Sequence, residues 1–204
     1  MLALMADIPL AALDDEALAE RARAGDDAAF GALVERYQER VYRLALRLSS
    51  NPSDAEEVLQ ESFLQAWRKI DTFRGDARFG TWLYRIATNT ALMRKRAARR
   101  RPAESLEAFL PQLDESGLLA DLDYQRSARA DELLERAELA QRAREALDLL
   151  DENYRAVFVL RDLEEMSTEE AARVLEITPE AVRQRLHRAR LMVRGYLGKL
   201  VGES

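Results

Sequence analysis

An uninterrupted helical period constrains this chain more than any other feature. From Asp26 onward, Phe30, Leu33, Val34, Tyr37, Val41, Tyr42, Leu44, Ala45 and Leu48 keep one apolar stripe. At about 3.6 residues per turn the stripe persists for about five turns, and no stretch shows the strict alternation of a strand. Only 8 Gly and 5 Pro occur in 204 residues, so long helices are seldom broken. The expected fold class is all-α: two small helical domains joined by an acidic linker, the C-terminal one a helix-turn-helix.

Breaks in the period set the elements. Asp14 to Arg23 reads as a first short helix closed by Gly25, and Ser49-Ser50-Asn51-Pro52 ends the second. Ser53 is the expected N-cap of the third, with Asp54, Glu56 and Glu57 in its first turn, where the helix dipole favours carboxylates. That helix is expected to reach about Ile70. A turn over Phe73-Arg74-Gly75-Asp76 leads to a fourth helix, starting near Phe79 to Thr81 and running until Pro102 stops it. Residues 102–136 carry an excess of Asp and Glu with weak periodicity and read as the acidic linker. Amphipathic segments then follow at Leu139 to Leu150, Tyr154 to Leu163 and Ser167 to Leu175. Thr178 and Pro179 open a last long helix, with Pro at the first helical position, where its missing N–H costs nothing. The domains are therefore expected at 14–101 and 137–201.

Composition removes most enzyme chemistry. With no cysteine and a single histidine, thiol nucleophiles, disulfides, cysteine metal sites and clustered histidine ligands are ruled out. No catalytic residues, metal or cofactor are expected. No apolar run approaches the roughly 20 residues that cross a bilayer, so membrane insertion is not expected. The opening MLALMADIPL lacks the basic start of a signal peptide and is interrupted by Asp7 and Pro9, so no signal peptide is expected, and a composition without cysteine suits a reducing cytoplasm, the expected location.

The net charge of −6 hides two basic stripes. Between Tyr84 and Arg101 there is no carboxylate, while Arg85, Arg94, Lys95, Arg96, Arg99, Arg100 and Arg101 are present. The last helix carries Arg183, Arg185, Arg188, Arg190, Arg194 and Lys199 with Glu180 as its only acid. Basic residues concentrated on single helices of an acidic chain mark a polyanion site. On the last helix, Val182, Leu186, Ala189 and Val193 share the face to be buried. Glu180, Gln184, His187 and Arg188 point away, with Arg183 and Arg190 on the flank. Arg and Gln suit guanine and adenine edges in a major groove. Beside the first stripe, Phe73, Phe79, Trp82 and Tyr84 lie among arginines, as a surface for unstacked bases requires. For Phe79 and Trp82 a place in the core fits the sequence equally well.

The string FRGDARFGTWLYRIATNT, preceded by DAEEVLQESFLQAWRKI and followed by STEEAARVLEITPEAVRQRLHRAR, resembles the extracytoplasmic-function (group IV) sigma factors of bacterial RNA polymerase. The likeness covers nearly the whole chain. It implies an alternative sigma factor that binds core RNA polymerase, recognises −35 and −10 promoter DNA and promotes strand separation, and that is commonly held by an anti-sigma factor. The helix from Ser53 to Ile70 would dock on polymerase through Asp54, Glu57, Val58, Glu61 and Gln65, opposite an inner face of Ala55, Leu59, Phe63, Ala66 and Trp67. The loop Arg74 to Gly80, with Arg74, Arg78 and Phe79, and the helix bearing Trp82, Arg85, Asn89, Arg94, Lys95 and Arg96 would take the −10 strand. Arg183, Gln184, His187, Arg188 and Arg190 would take the −35 duplex. Two positions depart from the family pattern: Met93 stands where many relatives have Asp, and Glu176 where the turn between helices usually has Gly. An ordinary helix-turn-helix regulator acting without polymerase accounts for the second stripe but not for the first. A helical adaptor with no DNA role is a second alternative, which tight binding insensitive to salt would favour.

Overall fold

The computed structural model describes residues 9–49, 51–100 and 141–202, with side chains placed up to Ala98 in the second segment and up to Tyr196 in the third. The acidic linker at 102–136 lies outside the described residues.

Asp14 caps α1 (Asp15–Arg23) by accepting from the Ala17 N–H at 2.8 Å. α2 (Asp27–Ser49) buries Ala29, Leu33, Tyr37, Val41, Leu44, Ala45 and Leu48, following the stripe expected from the period. α3 (Pro52–Arg68) is capped by Asn51, not by Ser53 as expected. The Asn51 side chain accepts from the Asp54 N–H at 3.0 Å, which frees Pro52 to take the first helical position. The helix stops at Arg68, and a 3-10 turn, Ile70–Thr72, leads into the loop before α4 (Phe79–Arg100).

α2, α3 and α4 pack against one another, and α1 lies across α2. Two features hold this unit in register. Asp15 receives both the Arg36 guanidinium, at 2.9 Å, and the Tyr37 hydroxyl. A Cβ added to Gly80 would meet the Tyr37 ring at 3.0 Å, so the glycine lets the start of α4 approach α2 closely.

The described residues resume in α5 (residues 141–148). α6 (Glu152–Phe158) follows, capped by Asp151, and its last turn widens into a π-helical segment, Val159–Leu163. α7 (Thr168–Leu175) starts in a capping box in which Ser167 and Glu170 satisfy each other's backbone N–H groups. α8 (Pro179–Gly202) opens with Thr178 accepting from the Ala181 N–H at 3.1 Å. The turn between α7 and α8 places Glu176 at φ 54° and ψ 42°, the left-handed conformation that glycine adopts at least cost. The chain accepts that strain rather than building the turn differently. The described residues are otherwise all helix, turn and coil.

The two units touch. α7 packs on α4, and one continuous cluster of buried apolar side chains runs from α2 and α4 to Ala156, Val157, Val159 and Leu160.

Candidate nucleic-acid and polymerase surfaces

Four of the nine expected −10 residues, Arg74, Trp82, Arg85 and Asn89, come together in one place. A cleft of about 500 Å³ opens beside α4 and is lined by Arg74 from the loop and by Trp82, Arg85 and Asn89 from the helix. At one turn per 3.6 residues, Trp82, Arg85 and Asn89 stand on successive turns of one face. Gln65, Lys69, Thr72 and Phe73 also line it, the Phe73 ring centroid 5.5 Å from that of Trp82, and Arg173 joins the lining from α7. The cleft thus offers a half-buried indole for stacking, cations for a backbone and the Asn89 amide for a base edge. No hydrogen bond to the Asn89 side chain occurs among the described residues.

Other members of the expected −10 set have different surroundings. Phe79 is completely buried, with ring centroids 5.5 Å from Tyr37 and Phe73 and 5.6 Å from Trp82. It is a core side chain that backs Trp82, so the reading of Phe79 as a base platform is corrected. Arg78 is exposed outside the cleft. Arg94 pairs with Glu57 and lies 3.8 Å from Asp54. Lys95 donates to the Leu48 carbonyl at 3.4 Å, at the negative end of α2, and Arg96 pairs with Glu152 at 3.4 Å. These last three cations anchor α4 to its neighbours in this conformation.

On α3, the expected acidic face is narrower than a simple wheel suggests. Val58 is fully buried, because α3 packs on both α2 and α4 and its inner stripe is Ala55, Val58, Ser62 and Ala66. Val58 is therefore removed from the docking face. Gln65 is half-buried and turned toward α4, its amide donating to Glu61 at 2.9 Å and reaching Thr90 at 3.5 Å. Asp54, Glu57 and Glu61 retain accessible carboxylates. Beside them stand Leu64, 43% exposed, and Trp67, 37% exposed and tilted against Phe30 at 4.8 Å between ring centroids. Trp67, expected on the inner face, thus rims the outer one. Apolar side chains next to acids give a partner both contact area and charge.

On α8 the expected division of faces holds at the core positions. Val182, Leu186 and Ala189 are buried and Val193 is half-buried, while Arg183, Gln184, His187 and Arg188 are exposed. Glu180 accepts from Arg183 at 2.9 Å and from Gln184 at 3.3 Å, and these two bonds, Arg183 first, hold its carboxyl below the ordinary value. The pair keeps both long side chains extended along the outer face. Arg188 donates to the Tyr154 hydroxyl at 3.3 Å. Arg190 makes two bonds to Asp162, at 2.8 and 2.6 Å, which raise the basicity of its guanidinium. Arg190 thereby ties α8 to the π-helical turn, a role the sequence did not signal.

Among the described residues, no group of acidic or histidine side chains is placed to hold a metal ion. No helix among them is long and apolar enough to cross a membrane.

Comparison with known proteins follows the same division. Residues 33–101 match the sigma-70 region 2 model and residues 140–193 the sigma-70 region 4 model. The ECF RNA polymerase sigma-E factor of Haemophilus influenzae is 37% identical over 195 residues, covering 93% of this chain and 98% of the relative. Its counterpart in Escherichia coli K12 is 39% identical over 180 residues, covering 87% and 91%. Among solved structures, CnrH in complex with the cytosolic domain of CnrY superposes with a TM-score of 0.64 at 29% identity, covering 91% of this chain and 97% of that one. Sigma factor RpoE of Bartonella quintana, in complex with the anti-sigma factor NepR, shares the fold at a TM-score of 0.62 and 22% identity, covering 83% and 96%. Regions 2 and 4 in this order define a sigma-70-type initiation factor. The chain belongs to the extracytoplasmic-function RNA polymerase sigma factors and is an alternative sigma factor of that group.

Proposed function

We propose that residues 14–101 bind core RNA polymerase and the −10 element, that residues 137–201 bind the −35 element, and that residues 102–136 connect them. The observation that carries this is the cleft beside α4, where Arg74, Trp82, Arg85 and Asn89 come together. Taking a base out of the stack costs a few kcal/mol, and a stacking surface with cations and a donor–acceptor amide offsets that cost. The outer face of α8 supports duplex readout: Gln184, Arg188 and Arg183 stand clear of the core with His187 between them. Asp54, Glu57 and Glu61, with Leu64 and Trp67, form the surface for polymerase.

The chain works by binding, in the cytoplasm, without a cofactor and without a chemical step of its own. A regulatory protein partner is part of the reading, since both structural relatives named above are described with a bound protein.

Asn89→Ala tests the cleft. Closed-complex formation is expected to persist while strand opening, followed by permanganate reactivity, is impaired. A promoter with a pre-melted bubble is expected to recover part of the defect, because unpairing is already done, and base preference at one −10 position is expected to relax. Normal opening with unchanged preference would remove Asn89 from the −10 site.

A further inference from the structure

The half-buried Gln65 turns away from the outer face of α3 and lines the cleft beside α4. Its amide nitrogen donates to Glu61 at 2.9 Å, one turn back on α3, and to the Thr90 hydroxyl at 3.5 Å, across on α4. These two partners force the orientation of the amide. A carboxylate only accepts, and the Thr90 hydroxyl commits its own proton to the Ile86 carbonyl at 2.9 Å, so it too can only accept from Gln65. Both amide N–H groups are thereby engaged. The carbonyl oxygen is the polar atom that remains, and it accepts from no donor among the described residues.

Thr90 is buried and follows Asn89 in α4, so the Gln65 amide meets that helix at the level of Asn89. Lys69, Arg74 and Arg85 bring only side-chain donors to the lining, and the Asn89 amide is free to turn either way. Asp76, in the exposed loop, is an acceptor with no hydrogen bond among the described residues to fix its direction. Gln65 thus supplies an acceptor of fixed direction in a site otherwise rich in donors. The four bases differ at the group such an acceptor reads. Adenine and cytosine carry an exocyclic amino donor where guanine and thymine carry a carbonyl oxygen. Beside each amino group lies a ring nitrogen that accepts, and the donors of the cleft can meet it. A carbonyl in the same place would face the Gln65 oxygen acceptor to acceptor, leaving both without a proton.

We propose that Gln65 selects the base held in the cleft, accepting from the exocyclic amino group of an adenine or cytosine in the −10 single strand and disfavouring guanine and thymine. The inference rests on the reading of the α4 cleft as the −10 site and adds the chemical class of base that the site takes. Trp82 supplies a stacking surface, which any base fits, and Gln65 supplies the discrimination. A Gln65 that only tied α3 to α4 would leave the choice of base untouched.

The test uses the full chain assembled with core polymerase, on a promoter selected from a randomised library and held open by a pre-melted −10 bubble. Each adenine of the −10 non-template strand is replaced in turn by purine and each cytosine by 2-pyrimidinone, changes that delete only the amino group. At one position the deletion is expected to weaken binding about tenfold, the cost of leaving the Gln65 oxygen without its donor. Gln65→Met is similar in length but has no acceptor. With it the natural base is expected to bind about tenfold more weakly, and the deletion at that position to cost less than about twofold. Thr90→Val frees one amide N–H, so that the amide can turn, and is expected to admit guanine or thymine there within about threefold of the preferred base. Analogues that bind as well as the natural bases at every position would overturn the proposal on the unaltered chain, with no variant to fold. An equal penalty in Gln65→Met would also overturn it, as would guanine or thymine selected at the position that Asn89→Ala relaxes. Failure of the −10 reading shows separately: bubble binding would then be indifferent to Trp82→Ala and Asn89→Ala, whatever the analogues report.

Discussion

Phe79 and Trp82 were indistinguishable as sequence, and their substitution by alanine should separate them cleanly. Phe79 is wholly enclosed, with three aromatic neighbours whose centroids lie 5.5–5.6 Å away. Truncating a buried Phe costs about 3–5 kcal/mol. The edge-to-face contacts to Tyr37 and Phe73 place Phe79→Ala toward the upper end of that range, since each such pair is worth about 0.5–1.5 kcal/mol beyond its area. For a unit of this size about 1 kcal/mol shifts the melting point by 4–8 °C, so a fall of roughly 15–40 °C is expected for the N-terminal unit. Trp82 is half-buried on the cleft wall, and Trp82→Ala is expected to cost less than half as much stability. Calorimetry of the full chain reads the stability, and binding of a single-stranded −10 oligonucleotide to holoenzyme reads the function. Trp82→Ala should lose more affinity than any stability change explains, consistent with about 1–3 kcal/mol for one stacked base. A Phe79→Ala protein that melts normally yet fails on the −10 strand would refute the assignment of Phe79 to the core.

Three further outcomes are expected. Arg188→Ala should weaken −35 binding by about 1–3 kcal/mol with a penalty that varies with −35 sequence, measured by mobility shift; an equal loss on every variant would make Arg188 a phosphate contact. Reversing Asp54, Glu57 and Glu61 together should abolish co-elution with core polymerase while leaving far-ultraviolet helicity intact; persistent co-elution would remove α3 from the docking surface. Ser167→Ala should destabilise the C-terminal unit by about 1 kcal/mol in thermal melts through loss of the cap. The Glu170 carboxyl is held below its ordinary 4.5 by the Ser167 backbone N–H and then its hydroxyl. Its contribution to stability is therefore present above the unfolded value and should be lost as pH falls through the lowered folded one, less steeply in the variant.

Much of the architecture was legible because helix signals are local. The α2 stripe, the helical segments beginning at Asp14 and Ser167 and the Thr178-Pro179 start all depend on residues within a few positions of one another; the Asp14 cap and the Ser167–Glu170 capping box are equally local but were not read. Where two short polar residues flanked Pro52, the expectation chose Ser53; the preference of Pro for the first helical position decides for Asn51. Val58 was misplaced because a wheel assumes one buried side, and α3 has a neighbour on each of two. The cleft residues Arg74, Trp82, Arg85 and Asn89 were found through their resemblance to a family pattern, whereas Gln65 of α3 and Lys69, just past its end, reach the cleft across a tertiary contact with no local signal. The same reason hides Arg47, Tyr84 and Glu164, which meet from positions 80 and 117 residues apart.

Transcription in vitro with purified core polymerase is the most direct test of the central claim. Core enzyme mixed with this chain, given promoters selected from a randomised library, should yield discrete transcripts from templates sharing spaced −35 and −10 elements. Asn89→Ala should blur the −10 part of that consensus and Arg188→Ala the −35 part. Selection of a duplex sequence by the chain alone, with no transcript when core polymerase is added, would contradict the account.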